Sequence, residues 1–93
     1  MLSTQRFMVE SGIIFREDDD GAFLFDPDAG NLKYMNSLAK ETFKMIEGGR
    51  DFDQIINYIL ELYPDIELDR IRKDVENFIL ELSSNHFIFP KSK

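Results

Sequence analysis

The chain has no cysteine, no tryptophan, one histidine, three prolines and five glycines in 93 residues. Without cysteine there are no disulfides, no thiolate catalysis and no cysteine-ligated zinc or iron–sulfur site, a composition that fits a reducing, cytoplasmic setting. Long apolar runs are also missing. The longest is Ala22–Phe25, against the ~20 residues that a membrane span needs. Residues 1–10 carry one basic side chain and no apolar block, so they do not read as a signal peptide. Positive charge is scarce too, with 11 Lys and Arg against 18 Asp and Glu and a net charge of −7. That balance argues against nucleic acid, because neutralising phosphates supplies most of the affinity of such binders.

What is present is enough for one small core. The chain is 43% hydrophobic and 13% aromatic, which excludes wholesale disorder, and its length predicts a single domain spanning residues 1–93. The first third reads as strands. Ile13-Ile14-Phe15 and Ala22-Phe23-Leu24-Phe25 flank the polar turn Arg16–Gly21, a hairpin pattern. Asp26-Pro27-Asp28-Ala29-Gly30 is a second turn. Asn31-Leu32-Lys33-Tyr34-Met35 then alternates polar and apolar, as a strand with one buried face does. The period changes after it. Leu38, Thr42, Met45 and Ile46 recur at helical spacing behind an N-cap at Asn36 or Ser37, and Gly48-Gly49 stops the helix. A second helix opens at Asp51 or Asp53, carries Ile55, Ile56 and Ile59, and ends at Pro64. A third runs from Glu67–Leu68 to Ser83–Asn85 with Leu68, Ile71, Val75, Ile79 and Leu82 on its apolar face. Phe87-Ile88-Phe89 is either a closing strand or a packed tail. The order predicts an α+β fold: a three-stranded antiparallel β-meander followed by three helices, winged-helix-like.

The chemistry-bearing inventory is thin. His86 is the one imidazole, with only Ser83 and Ser84 near it in sequence, so no catalytic residue is assigned. The turn that starts at Asp26 places glycine fifth and serine twelfth, whereas a calcium loop needs glycine sixth and glutamate twelfth. No phosphate-cradling glycine pattern occurs. No metal or cofactor is expected. A winged helix that reads DNA would use its third helix, but Glu67–Asn85 is net −2, so no nucleic acid is expected either. The feature left is an edge. Asn31–Met35 has no proline and a single charge, Lys33, and an edge strand of that kind can accept a partner strand or pair with a second copy as a homodimer.

The segment Phe15–Asn36 resembles the PqqD-like family: a hydrophobic strand ending at Phe25, the Asp26-x-x-x-Gly30 turn, a short strand Leu32–Met35, and Asn36 opening a helix. Gly48-Gly49 and the helical stretch Asp74–Leu82 are similar to later parts of the family pattern, so that the resemblance covers about residues 12–89. Two positions depart from it. Met35 stands where leucine is common. Asn85-His86 stands where glycine precedes the final hydrophobic pair, with the asparagine able to supply positive φ. The resemblance implies a non-catalytic adaptor for ribosomally made, post-translationally modified peptides, in pyrroloquinoline quinone, lasso-peptide or related pathways. Such a domain binds the leader of a precursor peptide as a strand added to the third strand and packed on the third helix, then presents it to a modifying enzyme such as a radical SAM protein or a protease–cyclase. On that reading, backbone bonds come from either Asn31, Lys33 and Met35 or Leu32 and Tyr34. Arg72, Val75 and Ile79 are expected to line the groove, with Arg72 facing a leader carboxylate. The alternative places for these three are plain core for Val75 and Ile79 and a solvated face for Arg72.

Overall fold

A computed structural model describes residues 4–91; the first three and last two residues of the expected 1–93 domain lie outside them. The elements run β1 (Phe7–Val9), β2 (Ile14–Glu17), β3 (Gly21–Asp26), β4 (Asn31–Asn36), α1 (Ser37–Glu47), α2 (Phe52–Leu62), α3 (Leu68–Ser84) and β5 (Ile88–Pro90). The expected α+β order is observed. β2-β3-β4 form an antiparallel meander followed by three helices. A second, two-stranded sheet pairs β1 with β5. Of the two expected forms of Phe87–Phe89, a closing strand or a packed tail, the strand is observed, over Ile88–Pro90, and the sequence does not signal its partner β1. The pairing extends by one bond at each end: the Glu10 N–H donates to the Phe87 carbonyl and the Lys91 N–H to the Arg6 carbonyl, both at 2.9 Å.

The first hairpin is tighter than the sequence suggests. The Asp18 carboxylate accepts from the N–H groups of Asp20 and Gly21 at 3.0 and 2.8 Å. This Asx turn replaces a longer loop, so Arg16 and Glu17 stay in the ladder opposite Phe23 and Ala22. Asp26 does the same work in the second turn, accepting from Asp28 and Ala29. Both acidic turns are therefore explained by local backbone capping. Gly21 is required where the sheet closes on itself, because a Cβ there would run into the Met35 carbonyl.

Helix ends follow their capping residues. The Asn36 side chain, not Ser37, accepts from the Ala39 N–H at 2.9 Å. Asp51 and Gln54 form a reciprocal capping box that starts α2. α1 and α3 both close in Schellman motifs. At α1, Gly49 takes φ +82°, with Gly49 N–H on the Ile46 carbonyl and Arg50 N–H on Met45. At α3 the left-handed residue is His86 (φ +63°), not Asn85, with His86 N–H on Ser83 and Phe87 N–H on Leu82. The motif fixes the position one past the cap as left-handed, and Asn85 is itself the cap at φ −95°.

The core joins these layers. Ala22, Leu24 and Met35 from the meander meet Phe43 and Ile46 of α1, Ile55 and Ile59 of α2, the Ile71–Val75–Ile79–Leu82 face of α3, and Phe87 and Ile88. Phe15 stacks on Phe43 at 5.2 Å between centroids. The small Ala22 and unbranched Met35 let α1 lie close against the sheet. Among the described residues the one buried polar side chain, Thr42, is satisfied by donating to the Leu38 carbonyl at 2.9 Å.

Candidate functional site

β4 is an edge strand: the meander runs β2-β3-β4, and β4 pairs on one side only, with β3. The hairpin settles which of its backbone groups are free. The Asp18 N–H donates to the Gly21 carbonyl at 2.9 Å, so Asp18 and Gly21 bond to each other across the turn. Hydrogen-bonded and non-bonded pairs alternate along an antiparallel ladder. In β3, Gly21, Phe23 and Phe25 therefore address β2, while Ala22, Leu24 and Asp26 address β4. Their partners are Met35, Lys33 and Asn31. The collision of a Gly21 Cβ with the Met35 carbonyl agrees, since that carbonyl points into the sheet. The N–H and C=O groups of Leu32 and Tyr34 are the ones that face outward along the free edge.

Side chains alternate on the other axis. The inner face holds the rows Phe15–Leu24–Lys33 and Glu17–Ala22–Met35. The outer face holds Ile14–Phe25–Leu32 and Arg16–Phe23–Tyr34. Leu32 is 64% and Tyr34 52% exposed, whereas Met35 is fully buried. The buried face of β4 is thus the one carrying Asn31, Lys33 and Met35, a phase that the polar–apolar alternation left open. The outer face is an exposed apolar patch in which Phe23 and Tyr34 meet edge-to-face at 5.1 Å.

Beside this edge lies a groove of about 410 Å³. Lys33, Tyr34 and Asn36 of β4 form one wall, Leu38, Ala39 and Thr42 of α1 the floor, and Asp74, Val75, Asn77, Phe78 and Glu81 of α3 the other wall. Asp74, Asn77, Phe78 and Glu81 fall at i, i+3, i+4 and i+7, one stripe of α3 flanking its buried face. Two contacts fasten the walls. Lys33 pairs with Glu81, and the Asn31 side-chain amide donates to the Asn85 carbonyl at 3.3 Å.

Of the residues singled out in the sequence, the structure gathers Asn31, Leu32, Lys33, Tyr34 and Met35 on β4, and Val75 joins the groove wall. Val75 and Ile79 are both nearly fully buried in the core, and Ile79 is not among the residues lining the groove. Arg72 sits on the other flank of α3, its guanidinium carbon 5.8 Å from the centroid of the Phe52 ring. Sequence reasoning missed Leu38, Ala39, Thr42, Asp74, Asn77, Phe78 and Glu81. A helical wheel of α3 carried part of the signal: the stripe that starts at Asp74 lies next to the apolar face on one side, Arg72 on the other.

Among the described residues no group of three His, Asp or Glu side chains could hold a metal, and no helix is long and apolar enough to cross a membrane. The perturbed carboxyl lies at the opposite edge of the meander. A hydrogen bond from Lys44, at 3.1 Å, holds Glu17 below its ordinary range, helped by the charges of Lys44 and Lys40.

Two solved structures share this fold. One is described as TbiB1 in complex with the TbiA(beta) leader peptide; it is 14% identical, with a TM-score of 0.81 over 92% of this chain and 99% of that one. The other is described as lasso peptide synthetase B1 complexed with the leader peptide, 19% identical, TM-score 0.80, covering 91% and 99%. No curated protein matches in sequence. The profile of the family described as coenzyme PQQ synthesis protein D (PqqD) matches residues 21–88, and with most of its length so matched the chain belongs to the PqqD family.

Proposed function

We propose that this chain is a binding module for the leader segment of a ribosomally made precursor peptide, which it takes up as an extra strand on β4 and presents to a modifying enzyme. The observation that carries the reading is the open β4 edge, with the Leu32 and Tyr34 backbone groups facing outward beside a groove walled by α3. Two donors and two acceptors are offered there, each worth a net ~0.5–1.5 kcal/mol when paired. The groove alongside would read side chains of the incoming strand. The two solved structures of the same fold are themselves leader-peptide complexes, which supports the same use here. The module has no reaction of its own and acts by holding and delivering a substrate. With no cysteine in the sequence, it is suited to the cytoplasm. A radical SAM protein or a protease–cyclase is the class of enzyme that would receive the peptide.

The test is fluorescence anisotropy with labelled leader segments of the short peptides encoded beside this chain's gene, against the native protein, Leu32→Pro and Tyr34→Pro. Proline at either position removes an outward donor and leaves the β3 ladder intact. Saturable binding that both substitutions abolish is the expected result. Binding that survives both, or no binding of any such segment, would overturn strand addition at β4.

A further inference from the structure

The groove is fastened at one end and open at the other. Because Lys33 meets Glu81 and Asn31 meets Asn85, α3 runs antiparallel to β4 and its C-terminal turns close the Asn31 end. Toward Asn36 the far wall is Asp74, Asn77 and Phe78. Among the described residues Lys33 is the only basic one lining the groove, and it is engaged by Glu81. Among the described residues the ion-pair partner of Asp74 is Arg70, 76% exposed and 3.7 Å away, a pair of little strength. The open end therefore presents an apolar surface with a carboxylate on its rim.

We propose that the strand accepted by this edge carries a lysine or arginine on the side facing α3, and that Asp74 is the residue that selects it. This rests on the strand-addition reading and names the chemistry of the segment bound. A long basic side chain fits both parts of the site, its methylene stem over Phe78 and its charged head at Asp74. An acidic side chain in the same place would meet the Asp74 carboxylate and be repelled by it. Residues alternate faces along a strand, so the neighbours of that basic residue point the other way, beside Leu32 and Tyr34. The selectivity is opposite to that expected from Arg72, which lies off the groove over Phe52.

The experiment is selection of short randomised peptides by mRNA display on the full chain, run in parallel on native protein, Asp74→Lys and Asp69→Lys. Asp69 lies in the first turn of α3 and outside the groove, so its variant makes the same change in net charge elsewhere. Only peptides whose binding is lost on Tyr34→Pro are scored. The native protein and Asp69→Lys should enrich Lys and Arg at one position by about two- to fivefold, the scale of a partly exposed ion pair. Asp74→Lys should abolish that preference or turn it to Asp and Glu. Edge-dependent peptides without a basic excess, or with one that Asp74→Lys leaves unchanged, would overturn the role of Asp74 while leaving strand addition standing. If no edge-dependent peptide is enriched, strand addition fails and this inference fails with it.

Discussion

The two edges of the meander are built differently. β2 has four residues, half of them charged, and its last, Glu17, is drawn onto α1 by Lys44 and Lys40. Phe15 beside it stacks on Phe43 of the same helix. None of its residues lines the groove. β4 has six residues and one charge, and that charge is led away to Glu81 at one end of the groove. Both edges carry an inward charge of the kind that discourages strand pairing. What separates them is the surroundings: β2 is tied down along its inner face, while β4 runs beside an open trough with its apolar outer face uncovered. A small sheet can tie one edge strand to a helix through its inner face and leave the other beside an open groove.

Proline substitution breaks this contrast most strongly. Tyr34→Pro or Leu32→Pro should weaken peptide binding by tenfold or more, since about 1.4 kcal/mol is a factor of ten and each change removes a donor and obstructs the approach of the strand. Glu17→Pro, at an outward-facing position of β2, should leave binding unchanged. Lys33→Pro tests the parity itself. The Lys33 N–H addresses β3, so its loss leaves a ladder acceptor unpaired, at a cost of roughly 1–3 kcal/mol in chemical denaturation. Greater destabilisation by Pro at 34 than at 33 would mean that the parity is reversed.

Much of this was legible in the residues and some was not. The helices announce themselves through Asn36, the Asp51–Gln54 pair and the glycines after α1, all local signals that the structure uses as caps. β1 is three residues, Phe-Met-Val, whose only reason to be extended is a partner some eighty residues later; no local pattern encodes that. The phase of β4 was hidden because both its faces carry apolar side chains, Leu32 and Tyr34 outside and Met35 inside. Only the register with Ala22 and Leu24 decides which face the helices cover. The position of Arg72, over Phe52 and outside the groove lining, was hidden for a related reason: spacing places it on α3 but does not say on which flank of the buried face the groove lies.

The wall of the trough can be stiffened without touching the edge. α1 ends on a left-handed glycine and α3 on a left-handed histidine in the same motif. A side chain at that φ is strained, and glycine is not. His86→Gly should therefore stabilise the fold by about 0.5–1 kcal/mol, raising the thermal midpoint by roughly 2–8 °C. Peptide affinity should stay the same, because the change lies past the last groove residue of α3. A loss of affinity would show that the imidazole itself contributes to the site.

The smallest effect belongs to the β2 edge. The hydrogen bond from Lys44 lowers the pKa of Glu17 below 4.5 in the folded protein, with the Lys44 and Lys40 charges acting the same way. The folded state thus binds fewer protons at this group than the unfolded chain does. Its contribution is complete above 4.5 and disappears as the pH falls through the lower folded value. Lys44 mirrors it from the alkaline side: its pKa is raised above 10.5, chiefly by the Glu17 hydrogen bond, and that contribution is lost as the pH climbs through the raised value. Other carboxylates titrate in the same acid range, so the readable quantity is the difference between native protein and Glu17→Gln. That difference should be present at neutral pH and vanish once the pH has fallen below the lowered folded value, because both proteins then carry a neutral side chain at position 17. If it persists unchanged into acid, the carboxylate holds β2 through packing rather than charge, and the two edges differ by shape alone.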